Sequence, residues 1–208
     1  MRDDRLRGYY FVTDSRLSRG GNAHDVASAV AARVGVVQYR AKEGTSRGSY
    51  EEARALRALC PSALFVVNDR VDLALAVGAD GVHVGQDDLP CDVARTLLGP
   101  DRIIGVTARS VAEAVLAERA GADYVGVSPV FRTLTKADAG VPGGLELVLA
   151  VRAAVSIPIV AIGGIDLANT KSVIAAGADA ICAISAVVTA LDVVAEIGKF
   201  QRLFLPRS

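Results

Sequence analysis

Eight short runs of β-favouring residues recur along this chain, separated by stretches rich in alanine and spaced as helices are. The runs occupy residues 9–12, 34–39, 64–67, 81–84, 102–106, 124–127, 157–162 and 180–184. Between them, apolar residues fall at helical intervals, as in Ala53, Leu56 and Leu59 or Val111, Ala114 and Val115. Strands that alternate with helices build βαβ units and a parallel sheet. Most of the runs are continuously apolar, which is how a strand buried on both faces reads. Three of the helical stretches end in nearly the same words: Gly78-Ala79-Asp80, Gly121-Ala122-Asp123 and Gly177-Ala178-Asp179. Glycine at that position stops a helix in the left-handed region, so one structural unit is being reused. The chain has 208 residues, near the lower limit for an eightfold barrel and too few for two α/β domains with a linker. The expected fold is α/β, a single (β/α)8 TIM barrel with eight parallel strands, and residues 1–208 are expected to form one domain.

Composition narrows the function classes. Hydrophobic residues make up 51% of the chain but aromatics only 5%, so the apolar content is Ala, Val, Ile and Leu, as buried strands and closely packed helices require. The formal net charge is zero, which argues against a nucleic-acid partner. Cys60, Cys91 and Cys182 are far apart and form no Cys-x-x-Cys pair, so neither a zinc site nor a disulfide framework is signalled. No signal peptide is expected, no run of about 18 apolar residues is present, and the expected location is cytoplasmic, away from membranes.

In a barrel of this kind the active site lies at the C-terminal ends of the strands. After the second run, Gln38, Arg40 and Lys42 share one face of an extended segment. Two cations and an amide there suit an anion, with Arg able to grip phosphate oxygens in pairs. Taken alone they are equally two solvated charges. After the third and fourth runs come Asn68-Asp69 and Gln86-Asp87-Asp88. Mg²⁺ is held by one or two carboxylates together with substrate phosphate oxygens, and Asp69 with Asp88 provides such a pair. Asp69 is equally placed to cap the helix after it, and Asp87 and Asp88 to form a polar turn.

Thr107 follows the fifth run. After the sixth, Thr133, Thr135 and Lys136 offer donors to a phosphate, and residues 137–144 have the composition of a mobile loop able to close over a substrate. Gly163-Gly164 after the seventh run and Ile184-Ser185 at the eighth lie where this fold commonly builds a phosphate site from backbone N–H groups. His83 sits within a strand pattern and is expected to line the core or the barrel, and His24 is expected at the surface. Neither has the partners of a zinc site or a Ser/His/Asp triad.

Several segments are specific enough to carry a resemblance. They are residues 38–42 (Gln-Tyr-Arg-Ala-Lys), 66–74, 79–90, 103–107, 121–136 and 161–165, in order along nearly the whole chain. With them the chain resembles the thiamine-phosphate synthase family. The resemblance implies a transferase that couples 4-amino-2-methyl-5-hydroxymethylpyrimidine diphosphate with a thiazole phosphate, or its carboxylated precursor, releasing diphosphate. It implies Mg²⁺ on Asp69 and Asp88; diphosphate bound by Arg40, Lys42, Asn68 and Lys136; and the pyrimidine against Gln38. Thr133, Thr135, Gly164, Ile184 and Ser185 are implied to hold the thiazole phosphate, with Thr107 beside the reacting centre. Thr107, Arg40 and Lys136 are the expected catalytic residues. The partners implied are small molecules, and self-association stays open. Three positions depart from the family pattern: Thr107 stands where serine is commoner, Arg109 in place of a histidine, and Ser128 in place of a glycine. Two other readings stand beside this one: a thiazole tautomerase of the same barrel family, and a non-catalytic barrel that binds a phosphorylated ligand.

Overall fold

The strands form because each run is apolar on both sides, and they close on themselves because each finds a partner on both edges. In a computed structural model, which describes residues 4–133, 135 and 140–205, the eight runs become β1 (Gly8–Val12), β2 (Val36–Tyr39), β3 (Leu64–Asn68), β4 (Gly81–Val84), β5 (Ile103–Ala108), β6 (Tyr124–Val127), β7 (Ile159–Ile162) and β8 (Ala180–Cys182). All pair in parallel in chain order, and β8 returns to β1, giving a closed barrel. The outer layer is α1 (Asn22–Ala31), α2 (Ser46–Ala58), α3 (Val71–Ala76), α4 (Cys91–Leu98), α5 (Val111–Arg119), α6 (Gly144–Ala154) and α7 (Thr170–Ala175), followed by α8 (Ile184–Val188) and α9 (Val193–Gln201). No helix among the described residues is long and apolar enough to cross a membrane.

The eight expected strands are all present, with shifted ends. β2 begins at Val36 and not at Val34, because Arg33 takes a left-handed φ of 59° and the Val34 N–H still bonds the Ala29 carbonyl of α1. This is the helix-stopping turn that glycine makes elsewhere in the chain, here made by an arginine. β8 ends at Cys182, and Ile184 opens α8. β5 runs through Ala108, so Thr107 lies inside the strand and pairs with Gly126.

Alternation along the strands divides the core in two. Outward residues such as Tyr9, Phe11, Val37, Phe65, Val82 and Ile104 pack beneath the helices. Inward residues, among them Tyr10, Val12, Val36, Leu64, Val66, Tyr124, Val160 and Cys182, fill the barrel. Inward glycine makes room for the large ones. A Cβ on Gly105 would stand 2.0 Å from the Tyr124 ring, and a Cβ on Gly126 would stand 2.9 Å from His83.

The repeated Gly-Ala-Asp endings have a physical account at the N-terminal rim. After Gly78, Gly121 and Gly177 turn the chain with positive φ, the next aspartate bonds back to an earlier strand. The carboxylates of Asp80, Asp123 and Asp179 accept the N–H groups of Phe65 (2.7 Å), Ile104 (2.7 Å) and Ile159 (2.9 Å). Each is also held by an arginine from an earlier helix: Arg57 at 3.1 Å, Arg95 at 2.6 Å and Arg152 at 3.1 Å. Those arginines donate as well to backbone carbonyls at the loop turns, so one side chain ties helix, loop and strand together. Asp123→Ala is expected to cost about 1–3 kcal/mol, since it removes the acceptor of a strand N–H and unpairs Arg95. Thermal denaturation checks this. A loss of only a few tenths would mean that water replaces the carboxylate.

Candidate active site

The opposite rim gathers the polar strand ends around one cavity. Gln38, Arg40, Lys42, Asn68, Asp69, Asp88, Thr107, Thr133, Thr135, Gly164, Ile184 and Ser185 all line it, though they come from several different strand ends and the loops beyond them. Lys136 lies outside the described residues. Arg109 and Ser128, two of the departures from the family pattern, line the same cavity.

The cationic side is built from β1 and β2. The buried Thr13 hydroxyl accepts the Arg40 N–H at 2.9 Å, which ties the two strand ends together. Asp14 then pairs with the Arg40 guanidinium at 3.3 Å, and their side chains are 2% and 12% exposed. A guanidinium held this way keeps its direction before any ligand arrives. Sequence reasoning missed Thr13 and Asp14. The available signal was that they come after the first run as Arg40 and Lys42 come after the second.

The acidic side is built from β3 and β4. Asp69 has a φ of +63°, uncommon outside glycine. Its own N–H bonds the His83 carbonyl, while the Arg70 N–H bonds the Asn68 carbonyl, both at 2.7 Å. Three residues closed in this way form a strained γ-turn, a type of distortion that concentrates at functional sites. Asp69 is therefore not a helix cap; that position belongs to Arg70, and no side chain bonds there. The Asp69 carboxylate instead meets Lys42 Nζ at 3.0 Å. Asp88 accepts the Gly85 N–H at 2.7 Å. Burial pushes the Asp88 carboxyl above its ordinary range; the Gly85 bond opposes this, the Asp69 carboxylate beside it adds to the rise, and Lys42 offsets part of it. Two carboxylates crowded together next to one ammonium have more negative charge than the protein neutralises. No group of three or more His, Cys, Asp or Glu side chains suited to a metal occurs among the described residues. A two-carboxylate donor set of hard oxygens is what Mg²⁺ accepts when a substrate completes its coordination, so these residues fit that ion.

The loops after β6 and β7 lie against each other. The Val130 and Phe131 N–H groups bond the Ile162 and Gly163 carbonyls, both at 2.9 Å. Gly164 has φ +61°, and a Cβ there would stand 2.5 Å from the Arg132 carbonyl oxygen, so glycine is required for this approach. Thr133 and Thr135 thereby face the same space as the backbone at Gly164 and the first turn of α8.

The floor is a chain of hydrogen bonds inside the barrel. Gln38 Nε2 donates to Tyr10 Oη at 2.9 Å, Tyr10 and Tyr124 share a bond of 2.7 Å, Tyr124 meets His83 Nδ1 at 3.0 Å, and His83 Nε2 meets Thr107 Oγ1 at 2.9 Å. His83 thus lines the barrel. His24 is at the surface. Cys182 also reaches the floor, but burial raises its thiol far above the ordinary range, which removes it as a nucleophile.

Comparison with known proteins decides the family. Residues 9–187 match the family described as thiamine monophosphate synthase. The chain belongs to that family. It is similar to the thiamine-phosphate synthase of Methanosarcina barkeri, at 51% identity over 92% of this chain and 88% of the relative. It is also similar to that of Chloroflexus aurantiacus, at 52% over 93% and 91%. The solved structure of a thiamine phosphate pyrophosphorylase from Pyrococcus furiosus superposes with a TM-score of 0.88, at 40% identity over 97% of this chain and 96% of the other. A 3-hexulose-6-phosphate synthase from Salmonella typhimurium, at 20% identity and TM-score 0.72, shares the fold alone. As a thiamine-phosphate synthase family member, the chain is an enzyme of the transferase class, and formation of thiamine phosphate is its reaction.

Proposed function

We propose that this transferase joins 4-amino-2-methyl-5-hydroxymethylpyrimidine diphosphate to 4-methyl-5-(2-hydroxyethyl)thiazole phosphate, or to its carboxylated precursor with loss of CO₂, releasing diphosphate, with Mg²⁺ as cofactor. The observation that carries the reading is the meeting of Asp69, Asp88 and Lys42 at one rim, with Lys42 and Asp69 3.0 Å apart and Arg40 lining the same cavity. Asp69 and Asp88 would hold the ion. When bound, Mg²⁺ neutralises charge on the departing diphosphate, so that its bond to carbon ionises more readily. Arg40, fixed by Asp14, and Lys42 and Asn68 hold the diphosphate oxygens; Lys136 is assigned there by resemblance. Gln38 orients the pyrimidine, whose ring amino group delocalises the positive charge left on the methylene carbon. Thr133, Thr135, Gly164, Ile184 and Ser185 hold the thiazole phosphate, which points the thiazole nitrogen at that carbon beside Thr107. No protein nucleophile takes part. The residues supply binding, orientation and a site closed to water. The whole chain acts as one barrel domain in the cytoplasm, with small molecules as its partners and self-association left open.

Incubating both substrates with the protein and Mg²⁺ tests this. Thiamine phosphate and diphosphate are expected in equal amounts, and a chelator should stop their formation. Isomerisation of the thiazole without coupling would transfer the assignment to the tautomerase. Turnover unaffected by a chelator would remove the cation from the mechanism.

A further inference from the structure

The hydrogen-bonded floor has a direction, and the direction sets which atoms the cavity offers a substrate. Gln38 Nε2 can only donate, so Tyr10 Oη, 2.9 Å away, accepts. The Tyr10 proton then goes to Tyr124 Oη at 2.7 Å. Tyr124 in turn gives its proton to His83 Nδ1 at 3.0 Å. A ring nitrogen that accepts carries no proton, so a neutral His83 is protonated on Nε2 and donates to Thr107 Oγ1 at 2.9 Å. The Thr107 hydroxyl proton is then free to point into the cavity that Thr107 lines. The opposite direction would have both Gln38 and Tyr124 donating to Tyr10, which is 3% exposed, and would leave its own O–H without an acceptor along this chain. Folded proteins avoid buried donors of that kind.

We propose that Tyr10 and Tyr124 are positioning residues: they hold His83 as the Nε2–H tautomer and thereby make Thr107 a donor and the Gln38 carbonyl oxygen an acceptor toward the substrate. This deepens the proposed function, on which it rests, because a donor and an acceptor at the two ends of this hydrogen-bonded chain, both on residues that line the cavity, select a ring bearing a complementary pair. The pyrimidine, with its amino group and ring nitrogens, carries one; the thiazole has no N–H to match it. Packing supports the same arrangement. Tyr124 lies over Gly105 and His83 over Gly126, where any side chain would displace the rings and break the chain of bonds.

The test uses the full-length protein with ¹⁵N-labelled histidine. Imidazole nitrogen shifts of His83, assigned against His83→Gln, report the tautomer without any substrate, so this outcome is independent of whether the coupling reaction has been identified correctly. The Nε2–H form is expected in the unmodified protein, and a mixture of tautomers in Tyr124→Phe. That variant should lose about tenfold in kcat/KM for the pyrimidine diphosphate, as expected for one misdirected hydrogen bond. Its KM for the thiazole phosphate should hold. An Nδ1–H tautomer in the unmodified protein overturns the proposal, because it means that the Gln38 amide faces the other way. So does a Tyr124→Phe variant that melts earlier yet keeps both the tautomer and the kinetics. If the tautomer is as expected but the unmodified protein makes no thiamine phosphate, it is the proposed reaction that fails.

Discussion

Asp69→Ala is expected to lower coupling at least about 10³-fold, since a cation at a departing diphosphate is worth several kcal/mol and each 1.36 kcal/mol is a factor of ten. The loss arises from charge. Without Asp69, the Lys42 ammonium has lost its 3.0 Å partner, and Asp88 is left as a single carboxylate in the proposed cation site. Loss of the side chain alone should cost little in folding, because it faces the cavity and not the core. The backbone adds a second consequence. At φ +63° alanine is strained where Asp and Asn are tolerated. Asp69→Asn should therefore match the unmodified protein in stability while losing nearly as much activity. Asp69→Gly should be inactive yet fold comfortably. Turnover at saturating Mg²⁺, set beside thermal melts of the three variants, separates charge from conformation. Activity within about tenfold of the unmodified protein in Asp69→Asn would remove this carboxylate from the site.

Gly105→Ala is expected to be strongly destabilising. The new Cβ would stand 2.0 Å from Tyr124 Cζ and 2.3 Å from its hydroxyl oxygen. The ring cannot swing aside, because it is fully buried and its hydroxyl is bonded to both Tyr10 and His83. Overpacking of this kind costs roughly 1–3 kcal/mol and occasionally more, and here the displaced ring gives up hydrogen bonds as well. A loss of about 3 kcal/mol corresponds to a melting temperature about 6–12 °C lower for a chain of this size. Because Tyr124 also holds His83, coupling should fall together with stability. Calorimetry and turnover on the same preparation check both. An unchanged melting temperature would show that the ring has room which the packing does not suggest.

Asp69 and Gly105 differ in how far residue order alone reveals them. Asp69 and Asp88 can be picked out from the sequence because each comes after an apolar run, and the strands of a parallel barrel all deliver their C-terminal ends to the same rim. The same rule points to Arg40, Lys42 and Thr107, and it passed over Asp14 after the first run. Tyr10, His83 and Tyr124 are harder. They lie inside the runs, where both faces are apolar, so the residue order does not say which side a given position faces. Gly105 likewise reads as an ordinary strand glycine until Tyr124 is seen lying across it. Arg33 hides the end of α1, because nothing in an arginine announces a left-handed turn.

The residue order by itself determined the eight-strand alternation, the closed parallel barrel and the family, since periodic burial and local turn chemistry act between neighbours in the chain. Only the tertiary structure decided that Asp14 grips Arg40, that Asp80, Asp123 and Asp179 fasten the far rim, and that five side chains from five strands share one chain of hydrogen bonds. Those contacts join residues from different βα units, and their energies depend on distances of a few tenths of an ångström. Closure of the barrel sets such distances, and no spacing along the chain records them.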